Sequence, residues 1–208
     1  MDQTVLRTDS AKVRDIADAW NAKMISPSCD PGEGGRASFV SRTFTIGEPC
    51  PNPVLRVSAQ GLYEVFLNGK RVGPALLTPG WTCYDDRIAY QSYDVAGYLR
   101  PGENTIEIWL GDGWFRSPIM SRDQAMPNIW GDRLAAIAEI RSDDGLILAT
   151  DSEWKSGLLP ITRSGIYYGE DYDARLEKLD ASSDVQEIAF DRTRLVPHEA
   201  DPVVAMHP

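Results

Sequence analysis

The stretch YEVFLNGKRVG, Tyr63 to Gly73, decides the fold of this chain. Tyr63, Val65 and Leu67 alternate with Glu64 and Phe66, and a period of two places the first set on one face of a strand. Asn68-Gly69 follows. Both residues tolerate the positive φ of a type I′ turn, so the pair predicts a tight hairpin. Lys70, Arg71 and Val72 begin the return strand.

The same alternation extends in both directions. Upstream, Val40, Arg42, Phe44 and Ile46 share a face of SFVSRTFTI, and Leu55, Val57 and Ala59 share a face of VLRVSA. The turn-rich GEPCPNP separates them. Downstream, Ile88 to Val95 is a β-branched and aromatic run. Ile106, Ile108 and Leu110 alternate with Glu107 and Trp109. Leu134, Ala136, Ala138 and Ile140 alternate with Ala135, Ile137 and Glu139, and Asp144-Gly145 reads as a second hairpin turn before LILAT. About eight to ten strands of ordinary length fit this pattern. Many short strands between Gly, Pro and Asn turns indicate an all-β, jelly-roll-like antiparallel β-sandwich.

The ends read differently. In SAKVRDIADAW, Ser10 can cap a helix, and Val13, Ile16, Ala17 and Trp20 form one apolar stripe. SPSCDPGEGG, Ser26 to Gly35, is a loop. Beyond Arg175 the alternation fades: LEKLDASSDVQEIAF fits either a helix or a surface strand, and DRTRLVPHEADPVVAMHP reads as a tail. The expected organisation is a short N-terminal helix and loop over 1–35, a sandwich over 36–178, and an irregular tail or linker over 179–208.

Composition narrows the function classes. The 208 residues carry a net charge of −10, with no basic run to offset it, which argues against a nucleic-acid partner. No segment approaches the ~18 apolar residues of a membrane span. Cys29, Cys50 and Cys83 fit neither a disulfide framework nor a zinc site, so free thiols are expected. Free thiols, and a start without an apolar signal core, favour a cytoplasmic location over a secreted one. Both histidines, His198 and His207, lie in the expected tail, so a nucleophile–histidine pair requires the tail to fold back. The glycines of LGDGWF open no helical pattern, and the dinucleotide fingerprint fails.

What remains is acidic and aromatic, at the ends of expected strands. Trp81 lies in PGWTCYDDR; Asp112, Trp114 and Arg116 lie in GDGWFRS; Trp130 and Asp132 lie in IWGDR; Glu170 and Asp173 lie in GEDYDAR. An indole face accepts the C–H face of a sugar ring, and charged neighbours bind its hydroxyls. Oxygen-rich loops of this kind also make Ca²⁺ a candidate ligand. The alternative is structural: tryptophans at strand ends lid cores, and Asp–Arg pairs tie loops. Both readings stand for these loops. Unaided glycoside hydrolysis needs two carboxyl groups across a deep cleft, which a sandwich of this size has little wall to build.

In order along the chain, AQGLYEVFLNGKRVG, LTPGWTCYDDRIAYQSYDV, LRPGENTIEIWLGDGWF, GDRLAAIAEI, TDSEWK and GEDYDARLE resemble the N-terminal domain of bacterial α-L-rhamnosidases of glycoside hydrolase family 78. The resemblance covers roughly Trp20 to Glu177 and implies a galactose-binding-like sandwich. It also implies a multidomain inverting enzyme whose catalytic carboxylates sit on a downstream (α/α)₆ barrel. The expected role is then a non-catalytic accessory domain that docks on the barrel and contacts L-rhamnose-containing substrate, with self-association of the isolated domain. A carbohydrate-binding module for L-rhamnose, in some relatives with calcium, is the alternative, and a self-sufficient hydrolase the third. Phe115 and Ser117 stand where the family pattern has Tyr and Gly, and Pro74 where it has Asp.

Overall fold

The computed structural model describes residues 20–48, 50–120 and 125–205. The expected helix over Ser10 to Trp20 lies outside these residues, apart from Trp20 itself. The elements run β1 (Met24–Pro27), β2 (Ser38–Ile46), β3 (Val54–Gln60), β4 (Leu62–Leu67), β5 (Lys70–Arg71), β6 (Ile88–Asp94) and β7 (Gly102–Gly111). A single helical turn, α1 (Gly113–Arg116), precedes β8 (Ala135–Ser142), β9 (Gly145–Ala149) and β10 (Lys155–Leu158). β11 (Ile161–Gly165), β12 (Gly169–Tyr172), β13 (Ser183–Ile188) and β14 (Leu195–Pro197) complete the order.

The fold is all-β. One layer orders β14-β6-β3-β8-β1-β13, with β9 also on β8; the other orders β13-β10-β2-β7-β4-β5. All these pairings are antiparallel except β14 on β6, which is parallel. β13 belongs to both layers, pairing with β1 through Val185 and Ile188 and with β10 through Ser183 and Asp184. β11 and β12 form a separate hairpin.

The opening stretch folds as its alternation requires. Tyr63, Val65 and Leu67 are buried between the layers with Leu55, Val57, Ile106 and Ile108. Fully burying side chains of this size is worth about 1.5–3 kcal/mol each. Asn68 and Gly69 take φ of 51° and 74°, and the strands close with Phe66 opposite Arg71. Asn68 does more than turn. Its amide donates to the Tyr98 carbonyl at 2.9 Å and to Asn104 Oδ1 at 2.8 Å, and its Oδ1 accepts from Thr105 N at 3.0 Å. Gly69→Val puts a β-branched residue where φ is positive, at an expected cost of roughly 1–2 kcal/mol. A urea midpoint unchanged from wild type would contradict this reading of the turn.

β8 is buried on both faces. Leu134, Ala136, Ala138 and Ile140 enter the inter-layer core. Ala135 and Ile137 enter a second cluster on the outer face, with Trp20, Met24, Tyr84, Ile88, Phe115 and Leu195. The outer face needs this cover because alternate residues of β8 are apolar on both sides.

The sequence boundaries change at both ends. Residues 24–27, expected as helix and loop, are β1 and bond to β8 and β13. The expected tail over 179–208 holds β13 and β14. β13 buries only Val185 among exposed neighbours, and β14 has three residues, so neither shows enough alternation to be read locally. The second hairpin turns at Asp143-Asp144, one residue earlier than expected, with Ser142 opposite Gly145.

Candidate functional site

The loop after β7 holds three of the expected site residues, and two of them are structural. Gly113 starts α1 at φ 53°, where an added Cβ would lie 2.4 Å from Leu62 Cγ. The chain can therefore turn tightly against β4 only with glycine there. The turn drives Arg116 inward, where it is 1% exposed. Its Nε donates to Asp112 Oδ1 at 2.8 Å, and its Nη2 donates to Asp30 Oδ1 at 3.0 Å. Its Nη1 donates to Asp30 Oδ2 and, at 3.2 Å, to the Asp132 carbonyl. Asp112 Oδ2 accepts from Gly34 N at 2.8 Å.

One guanidinium thus gathers the β1–β2 loop, α1 and the segment before β8. Burial opposes its charge, but Asp30 and Asp112 outweigh burial and hold Arg116 above its ordinary value. Asp132 contributes only its backbone oxygen to this cluster, and its side chain is exposed. Asp30 was not singled out in the sequence. Its position in a Pro/Gly loop far from Arg116 gave no local signal.

The tryptophans divide. Trp130 is half-buried, lies 5.7 Å from Tyr84 ring to ring, and packs on the outer cluster as a core lid. Tyr84 is itself edge-on to Phe115 at 5.3 Å, and burial pushes its phenol well above the usual range. Trp81 and Trp114 stack at 6.1 Å with planes 11° apart, and Trp81 is 56% exposed.

This pair borders a groove of about 160 Å³, lined also by Leu77, Thr78, Gln91, His198 and Val203. The expected tail forms one wall. His198 N donates to the Tyr90 carbonyl at 2.9 Å, and Val203 O accepts from Leu76 N at 2.8 Å. His198 therefore does fold back, over Gly80, and no nucleophile is bonded to it among the described residues.

Glu170 and Asp173 belong to the separate hairpin region. Glu170 is exposed on β12, whereas Asp173 caps the 3₁₀ turn Ala174–Leu176 and pairs with Arg175, which lowers its carboxyl from the ordinary value. The structure does not join them to the tryptophan groove as lining residues.

A second buried ion pair was missed. Arg56 and Glu139 are each 1% exposed and bonded through Arg56 Nη2 and Glu139 Oε1. Glu139 Oε2 accepts from Asn21 N at 2.8 Å and Ala22 N at 3.3 Å, and Arg56 lies 4.5 Å over the Trp20 ring. The available signal was Glu139 in line with Ala135 and Ile137: a carboxylate on a covered apolar face requires a partner.

A larger groove of about 450 Å³ lies beside β1 and β13, lined by Lys23, Met24, Glu187, Ile188, Phe190 and Arg192 among others. Among the described residues, no three His, Cys, Asp or Glu side chains gather as a metal would require. Cys29, Cys50 and Cys83 are free thiols, and no described helix is long and apolar enough to cross a membrane.

Known proteins are similar to this chain in sequence and in fold. The family model described as the α-L-rhamnosidase N-terminal domain matches residues 50–207. An α-L-rhamnosidase of Streptomyces avermitilis is 37% identical over 170 residues, covering 76% of this chain and 16% of that one. One of Formosa agariphila is 31% identical over 173 residues, covering 76% and 18%. This chain thus spans less than a fifth of either curated relative.

Among solved structures, the native α-L-rhamnosidase of Aspergillus terreus superposes with a TM-score of 0.80 at 32% identity, over 88% of this chain and 23% of that one. The Streptomyces avermitilis enzyme complexed with L-rhamnose gives 0.67 at 30% identity, over 74% and 16%. With a family match over most of its length, similar curated relatives and a matching solved fold, this chain belongs to the α-L-rhamnosidase N-terminal domain family.

Proposed function

We propose that this chain is a non-catalytic accessory domain that docks on the downstream catalytic domain of an α-L-rhamnosidase. The observation that carries the reading is where its carboxylates are. Asp112 and Glu139, the fully buried acids among the described residues, are engaged by Arg116 and Arg56. The groove at Trp81 is lined by no acid, and the groove beside β1 by Glu187 alone. Hydrolysis of a glycoside by the usual route takes two carboxyl groups roughly 5–9.5 Å apart across the bound sugar. Neither groove offers that pair.

The expected result is that the purified chain releases no p-nitrophenol from p-nitrophenyl α-L-rhamnopyranoside above the buffer rate. Turnover that scales with chain concentration and survives repurification would overturn the reading.

L-Rhamnose contact is the second reading, favoured by the exposed indole of Trp81 over a shallow groove. A monosaccharide offers few atoms, so binding would be weak. Titration of L-rhamnose with and without Ca²⁺, read as chemical-shift change in the Trp81 and Trp114 indoles, tests it. A flat titration at tens of millimolar, the range that millimolar binding requires, removes it.

A further inference from the structure

At the groove beside Trp81, exposed apolar side chains from distant parts of the sequence converge around a cavity. Leu77 is 44% exposed and Trp81 is 56% exposed on one side, and Val203 is 56% exposed on the other, with Val204 41% exposed beside it. Leu77 also holds a φ of 55°. A bulky residue rarely adopts that conformation, which persists only where the surroundings impose it. Here Leu76 N is fixed to Val203 O and the neighbouring Thr78 Oγ1 to Tyr63 O at 2.6 Å, so Leu77 stands out between two anchored residues.

The lining chemistry selects the occupant. Thr78, Gln91 and His198 are polar side chains of the lining, and the first two are engaged within the protein. Thr78 donates to Tyr63 O; Gln91 Nε2 donates to Pro79 O at 3.1 Å, and its Oε1 accepts from the Tyr63 hydroxyl at 2.6 Å. A sugar needs several directional partners, whereas an apolar protein surface needs few. The groove lining contains no Asp, Glu, Lys or Arg, although the chain as a whole is strongly acidic.

The path of the backbone selects between protein partners. β14 and the irregular run after it place Pro202 and Val203 on the rim of this groove, with Val203 O bonded to Leu76 N. The relatives are more than five times the length of the matched part, and the matching domain is the N-terminal one.

We propose that the groove formed by Leu77, Trp81, Trp114 and Val203 seats an apolar side chain of the domain that follows in the same polypeptide, making it the centre of the interdomain interface. This rests on the docking reading above and specifies its surface. A domain tethered in the same polypeptide, as in the longer relatives, meets the groove at high effective concentration, an advantage that a second copy or a free sugar lacks.

Hydroxyl-radical footprinting of the 208-residue chain alone and of the full-length polypeptide that contains it tests the proposal without altering any residue. The expected result is that Trp81, Leu77 and Val203 oxidise readily in the chain alone and at least roughly ten-fold more slowly in the full-length protein, as burial in an interface core requires. Tyr167 and Tyr172 of the separate hairpin, both 55% exposed, should react alike in the two samples. Equal Trp81 reactivity with protection elsewhere on the domain would overturn this surface and leave docking standing. No protection anywhere on the domain would overturn both. Protection of Trp81 in the chain alone by L-rhamnose, or by raising chain concentration, would assign the groove to the sugar or to a second copy and overturn the proposal.

Discussion

Glu139→Ala should cost about 3–5 kcal/mol of folding free energy, because it removes the carboxylate of a buried ion pair. Arg56 would keep the Trp20 ring 4.5 Å away but lose Glu139 Oε1. The same substitution removes the acceptor for Asn21 N and Ala22 N, the two bonds that lay the segment before β1 across the outer face. A domain of ordinary stability has only about 5–15 kcal/mol in total, so the variant should unfold at a much lower urea concentration. A second variant separates charge from packing. Arg56→Met combined with Glu139→Leu should recover most of the loss, since apolar replacement of a buried pair is often neutral or favourable. A Glu139→Ala midpoint equal to wild type would show that the pair holds nothing. A double variant as unstable as the single one would assign the loss to the missing backbone bonds.

Arg116→Ala is the second large effect, again about 3–5 kcal/mol near neutral pH, but with a distinct pH signature. The substitution leaves Asp112 and Asp30 facing each other without a cation. Burial already pushes Asp112 upward, with the Arg116 charge pulling the other way, so removing Arg116 raises it further. A carboxyl whose folded pKa lies above its unfolded value binds protons more tightly when folded. Its variant therefore gains relative stability as pH falls and loses it as pH rises through the folded pKa. The stability gap between Arg116→Ala and wild type should narrow from pH 7 toward pH 5. A gap independent of pH would mean that the carboxylates are solvated and the cluster is not a buried tie. Arg116→Lys should rescue only partly, since an ammonium cannot serve two carboxylates and a carbonyl in the planar arrangement of the guanidinium.

These residues also show how far the sequence could be read. The hairpin at Asn68-Gly69 was legible because turn geometry and strand alternation are both local. The two-faced burial of β8 was visible as apolar residues on both registers, though nothing local told which segments cover its outer face. Those covers are Trp20, α1 with its neighbours, and β14, brought in from distant positions. The sequence leaves β13 open between helix and surface strand and reads β14 as tail, because β13 takes its main partner more than a hundred residues away and β14 has only three residues of pairing.

Trp81, Trp130 and Asp132 lie in loops, Trp114 and Arg116 in α1 and Glu170 on β12, and sequence cannot separate ties from contacts among them. Asp112 and Arg116 are ties because Asp30 completes them, and Asp30 lies 86 positions from Arg116. Trp130 is a lid, whereas Trp81 reaches solvent; the residue type is the same, and only the neighbours differ. His198 reached the groove through β14, which the fading alternation concealed.

The double membership of β13 sets an order on synthesis. β1 emerges early yet takes its main partner at residues 185–188, and among the described residues that strand is the hydrogen-bonded link between the two layers. The nascent polypeptide must hold an open-edged, half-zipped sheet outside the ribosome until nearly the whole domain has been translated, and closing across so wide a sequence gap is slow. That waiting time, rather than the finished sandwich, is when this chain is most vulnerable to aggregation.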